Sequence, residues 1–153
     1  YHVTSLDDGP NAATTLGTLR NAVRESGFPA GGRIVVFDVG GTINLTASLD
    51  IKNVNGLYIA GQTAPSPITI VGETSQITSS NSKVTQNVIL RYLTFRKGTG
   101  DGSDAITFAG SGTGTNLILD HVSASWAEDE TLGRQQQHER HRPVFDHRRE
   151  FEP

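Results

Sequence analysis

The chain has 153 residues, the length of about one domain, with 35% hydrophobic and 19% charged residues and a net charge of −3, so no global positive field recruits nucleic acid or an anionic membrane. It has no cysteine, which excludes a disulfide scaffold, a thiolate zinc site and a cysteine nucleophile. No apolar run approaches ~18 residues, which argues against a membrane-spanning helix.

Taken in order, the chain offers one helix and many short strands. Thr18-Leu-Arg-Asn-Ala-Val-Arg-Glu25 reads as two helical turns, with Leu19, Ala22 and Val23 on one face and Gly27 as a stop. Strands are expected at Arg33–Phe37, Thr42–Leu45, Leu57–Ile59, Ile68–Val71, Val88–Leu90, Ala105–Phe108 and Leu117–Leu119. Gly40-Gly41, Asn55-Gly56, Pro65-Ser-Pro67, Gly98-Thr-Gly-Asp-Gly102 and Gly110-Ser-Gly112 punctuate them. The sequence Asn44-Leu-Thr46 fits a glycosylation acceptor, a weak signal.

Three segments repeat a pattern: Asn55-Gly-Leu-Tyr-Ile, Asn87-Val-Ile-Leu-Arg and Asn116-Leu-Ile-Leu-Asp. Their starts lie 32 and 29 residues apart, with other strands between. Two or three strands per interval describe an all-β fold, the right-handed parallel β-helix, in which stacking supplies the core that no coil has alone. The leading asparagines would form a ladder, each amide bonding the next coil. The rival is an antiparallel sandwich.

Six ordered motifs then resemble the family 1 polysaccharide lyases, the pectate trisaccharide-lyase type in particular. They are Tyr1-His-Val-Thr-Ser-Leu6, Gly17-Thr-Leu-Arg-Asn-Ala-Val23, Ile34-Val-Val-Phe-Asp-Val-Gly-Gly-Thr-Ile43, Ile59-Ala-Gly-Gln-Thr-Ala-Pro65, Val88-Ile-Leu-Arg-Tyr-Leu-Thr-Phe-Arg96, and Asp120-His-Val-Ser-Ala-Ser-Trp126 with Asp129-Glu130. The resemblance covers residues 1–133. It implies a pectin-lyase-like parallel β-helix that cleaves de-esterified polygalacturonate (pectate) by β-elimination, with Ca²⁺ as cofactor. It also implies a secreted protein, expected to be a monomer, although no signal peptide is legible and the chain begins at Tyr1.

That chemistry needs the C6 carboxylate neutralised, a base at the C5 proton and a departing glycosidic oxygen. Ca²⁺, a hard cation taking 6–8 oxygens, suits the first task. The resemblance points to Asp104, Asp129 and Glu130 as the metal-holding residues, with Asp101 as a further candidate. Asp104 and Asp129 are 25 residues apart, and positions one coil apart in a solenoid lie roughly 4.8 Å from each other. The rival reading makes these acids solvated turn residues. No catalytic residue is assigned. The family's base is an arginine farther along the chain, and Arg91 and Arg96, flanking a strand, do not match it.

Other candidates read as structural. Asp120-His121 looks like a catalytic dyad, but a side chain directly after a strand can bond a neighbouring coil. Trp126 could stack on a sugar, yet a coil-packing aromatic is the preferred reading. Gln62 reads as a turn residue. Ser123 and Ser125 have no arguable base, so a serine hydrolase is disfavoured. A polygalacturonase-like hydrolase would need clustered aspartates, and only Asp101 and Asp104 lie close together. The remaining rivals are a non-catalytic β-helix that binds acidic polysaccharide and a pseudogene fragment.

The resemblance stops after Gly133. Residues 134–153 hold five of the 13 basic residues and three of the five histidines, with no period of 2 or 3.6. As written they read as a disordered tail. Read one base later, codons for Gln-Gln give Asn or Ser, and permitted codon choices turn the tail into an Asn-rich turn followed by Asn-Val-Thr-Val. We therefore expect a frameshift or mispredicted intron from about residue 134, with later lyase coils lost. Sequencing the locus should reveal a lyase frame one base downstream; an intact transcript with no such frame would refute it.

Overall fold

A computed structural model describes residues 1–80, 82–98, 102–110, 116–129 and 131–134, with backbone alone at 109, 110 and 134. Asp101, Glu130 and the tail from 135 onward lie outside the described residues.

The chain opens with β1 (His2–Val3) and α1 (Leu19–Val23). Four strand triplets follow: β2 (Arg33–Phe37), β3 (Gly41–Asn44) and β4 (Leu49–Lys52); β5 (Asn55–Ala60), β6 (Ile68–Val71) and β7 (Ser75–Ser79); β8 (Gln86–Arg91), β9 (Leu93–Arg96) and β10 (Ile106–Gly110); β11 (Leu117–Asp120), β12 (Ser123–Ser125) and β13 (Leu132–Arg134). Strands three elements apart pair in parallel. The result is three sheets: A with order β1-β2-β5-β8-β11, B with β12-β9-β6-β3, and C with β13-β10-β7-β4. This is a parallel β-helix of about three turns, as the repeat spacing predicts. No helix among the described residues is long and apolar enough to cross a membrane.

Inward side chains stack in columns across coils. Sheet A aligns Val35, Ile59, Leu90 and Leu119. Sheet B aligns Ile43, Ile70, Phe95 and Ala124. Sheet C aligns Leu49, Ser75, Ile106 and Leu132. Ser75 breaks its column: its hydroxyl is buried with no hydrogen-bond partner among the described residues. Such a group costs about 1–3 kcal/mol.

The seven strands expected from apolar runs are all present, shifted by a residue or two at their ends. The others are polar or short. In Leu49-Asp-Ile-Lys52 only alternate residues are buried, and Ser75-Gln-Ile-Thr-Ser79 has one large apolar side chain. They are strands because neighbouring coils offer ladder partners, one for β4 at the sheet edge and two for β7.

One end is closed by α1, shorter than the expected 18–25. Thr18 caps it, accepting from Asn21 N at 3.1 Å, and Leu19, Ala22 and Val23 face the core. A buried ion pair holds the cap down. Arg20 donates Nε and Nη2 to the two Asp8 oxygens at 2.6 and 2.7 Å. Nη1 reaches Ser48 O at 2.7 Å, and Thr46 N donates to Asp8 at 2.9 Å. Both charges are thus compensated, as burial requires.

The expected asparagine ladder is present. Asn116 Nδ2 donates to Asn87 Oδ1, and Asn87 Nδ2 to Asn55 Oδ1, each at 2.7 Å. Its backbone reason lies one position along. The register that sets Leu57 against Val88 and Leu117 also aligns Gly32, Gly56, Asn87 and Asn116. All four are left-handed, with φ of 83°, 77°, 55° and 60°. Only Gly, and less easily Asn, takes that conformation cheaply. Hence Asn87→Val should lower stability in urea unfolding by about 2 kcal/mol, and Asn87→Gly by clearly less.

Candidate functional site

The segments that lead into β10 and β13 carry the acidic residues. Asp104 is buried just before β10. Thr107 donates its hydroxyl to Asp104 Oδ2, and Thr74 Oγ1 donates to the Asp104 carbonyl at 2.8 Å while meeting Ser103 Oγ at 3.0 Å. In the next coil Gly133 stands level with Thr107, and a Cβ there would collide with the Asp104 carboxylate. Glycine leaves that oxygen its space.

Asp129 is exposed in the segment before β13. The register Ile106–Leu132 has an offset of 26, one more than separates Asp104 from Asp129, so these two are not level. Glu128 is an acid the sequence reading did not single out. Its Oε2 accepts from Gly102 N at 2.7 Å and ties the two segments together. Nothing in the local sequence distinguishes it from its neighbours; only the coil register does. Asp101 and Glu130 are outside the described residues. Among the described residues no three of His, Asp and Glu form a metal-binding group.

Sheet A bears a separate polar cluster on its outer face. Arg91 Nε donates to Asp120 Oδ2 at 2.5 Å, one coil away, while Asp120 Oδ1 lies 2.5 Å from His121 Nδ1. The hydrogen bond from His121 and the Arg91 guanidinium hold the Asp120 carboxyl below its ordinary range. Gln62 donates to Tyr58 Oη at 2.6 Å, and that bond, with Arg91 beside it, lowers the phenol. Tyr58 and Asp120 together raise the Arg91 pKa. Arg91 is thus fixed as a cation, the opposite of what a proton-abstracting guanidine needs. His121 stacks on Tyr92 with centroids 4.4 Å apart. Both are left-handed, at φ 54°, and turn the chain from sheet A to sheet B, Tyr92 alone in one coil and His121 with Val122 in the next. Asp120-His121 is therefore a coil-linking corner, as the sequence suggests.

Sheet B ends at Arg96 and, one coil on, at Ser125 followed by Trp126. The guanidinium lies 5.8 Å from the indole centroid. Trp126, in the last described coil, is 72% exposed. The chain leaves β12 at Trp126 in a left-handed conformation, φ 61°.

No family model matches the chain. It is similar to proteins named "Probable pectate lyase C". The one from Emericella nidulans is 40% identical over 135 residues, that from Aspergillus flavus 38% over 133, and that from Aspergillus terreus 40% over 135. In each case the match covers 86% of this chain and 27% of the relative. The chain therefore spans about a quarter of the length of the curated relatives it matches.

The Arg91–Asp120 link has a defined pH signature. A carboxyl with a lowered folded pKa contributes stability above its unfolded value, near 3.8, and loses it as pH falls through the folded one. Denaturation followed from pH 5 downward should show stability falling below about pH 3.8. Asp120→Asn should be less stable at pH 5 and flatter with acid; an unchanged acid limb would discount the link.

Proposed function

We propose that the chain carries part of a calcium-dependent pectate lyase that cleaves polygalacturonate by β-elimination. The observation that carries this reading is the similarity to pectate lyases over 86% of the chain, on a parallel β-helix. On this reading the protein is secreted and works where its polymer lies.

The donor chemistry fits calcium. Carboxylates are hard oxygen ligands of the kind it takes. Gly133 has no side chain to press on the Asp104 carboxylate, which accepts from Thr107. Asp104 and Asp129, with Glu130, would hold the ion. Bound there, calcium supplies charge neutralisation for the uronate carboxylate and so acidifies its C5 proton. The chain's own residues bind and orient. Thr107 and Thr74 fix Asp104 from its side chain and its carbonyl. Glu128 keeps the two segments in contact through Gly102. Arg91, bound to Asp120, stays protonated and takes no part as base. We assign the base to an arginine beyond residue 133.

A second reading, a polyuronate-binding β-helix without turnover, needs only these binding residues. The test is formation of the 4,5-unsaturated uronide, read by ultraviolet absorbance, with calcium or with EDTA. The 153-residue chain should form little or none. The protein with the later frame restored should form it only with calcium, and Asp104→Asn should weaken calcium binding about ten-fold or more. Calcium-dependent binding without product in the restored protein would favour the second reading. Neither binding nor product would refute both.

A further inference from the structure

We propose that Arg96 and Trp126 form a calcium-independent platform for one uronate residue of the polymer, the indole lying under the sugar ring and the guanidinium meeting its carboxylate. This rests on the pectate reading above and names a place on the wall where the polymer is held.

Three observations carry it. Trp126 is 72% exposed, although a large aromatic normally buries its face. Its left-handed backbone, φ 61°, is one that a bulky residue rarely adopts. Such strain persists where the surroundings fix it, commonly at sites that bind.

Arg96 is also unlike Arg91. Its hydrogen bonds go to neutral oxygens: Nη1 to Phe95 O at 2.9 Å and Ser123 O at 3.3 Å, and Nη2 to Ser123 Oγ at 2.9 Å. Among the described residues no carboxylate pairs with it, whereas Arg91 is neutralised by Asp120. The guanidinium is held over the indole ring of the neighbouring coil, 5.8 Å from its centroid, with no carboxylate partner among the described residues. A planar fork held by neutral partners is suited to a carboxylate, which it can bind with two parallel hydrogen bonds.

The surroundings match a sugar. Ser125 stands level with Arg96, and the adjoining outward column of sheet B runs Thr42, Thr69, Thr94, Ser123. These hydroxyls can donate to and accept from ring hydroxyls. An anionic polymer meeting a chain of net charge −3 must bind where positive charge is local, and Arg96 provides it. Trp126 also lies two residues from Glu128, on the segment that carries the acidic residues, so the same polymer could run from one to the other.

The chain has a single tryptophan, so its emission reports Trp126 alone. Trigalacturonate titrated into the 153-residue chain in EDTA should change that emission saturably, with a midpoint that rises with salt. By calorimetry, Arg96→Gln and Trp126→Ala should each bind about ten-fold more weakly, and Trp126→Phe by a smaller factor. Neutral galactotriose should not compete. Circular dichroism confirms that each variant keeps its sheets.

Trigalacturonate that binds with unchanged emission, and equally to Arg96→Gln, would overturn the platform and leave the pectate reading standing. Galactotriose binding as tightly as the acid would overturn the role of Arg96, and the platform with it. Absence of any binding to the frame-restored protein, with calcium or without, would overturn the pectate reading itself.

Discussion

Everything in this molecule depends on parallel pairing between a strand and the strand one coil away. No triplet of strands can bury its own inward side chains; each needs a neighbour at the same level. Val35, Ile59, Leu90 and Leu119 are one such column, and Ile43, Ile70, Phe95 and Ala124 another. A one-residue slip would turn every column outward, so register is specified at each coil. On its outer side the first coil has only the short β1 as a neighbour, paired with β2. There α1 and the Asp8–Arg20 pair take the place of the missing coil.

Part of this logic is legible in the sequence because it is written in β-branched runs. Ile68-Thr-Ile-Val71 and Arg33-Ile-Val-Val-Phe37 announce themselves. The asparagines at 55, 87 and 116 give the period and the ladder. What is not legible is whatever needs the register. Ser123-Ala-Ser125 is a strand only because β9 lies beside it. Arg91 and Asp120 are 29 residues apart and pair because β8 and β11 are level. Trp126 looks like a core residue by composition; its left-handed backbone is not revealed by any residue pattern. For the acidic site, sequence supplies the residue types. The offset of 26 between β10 and β13, which decides who faces whom, comes from the fold.

The three sheets divide the chemistry. Sheet A carries charges that satisfy one another: Arg91 with Asp120, and Asp120 with His121. Sheet B carries a cation, an indole and hydroxyls on its outer face, with Arg96 held by neutral oxygens alone among the described residues. Sheet C has the acids at its approach. The neutralised sheet links coils, while the other two leave capacity for a ligand. This separation explains why the most conspicuous dyad in the sequence is the least promising as machinery.

The short corners at Tyr92 and at His121-Val122 hold the path from sheet A to sheet B to one or two residues in the last two coils. The path from sheet B to sheet C is under no such constraint: it takes the nine residues 97–105 in one coil and the six residues 126–131 in the next. In these two coils the variation in length between walls thus falls on the path from sheet B to sheet C. That path holds Asp104, Glu128, Asp129 and Trp126. Insertions and deletions there can change what the molecule recognises while every wall column stays intact, so this architecture lets specificity drift without cost to the scaffold.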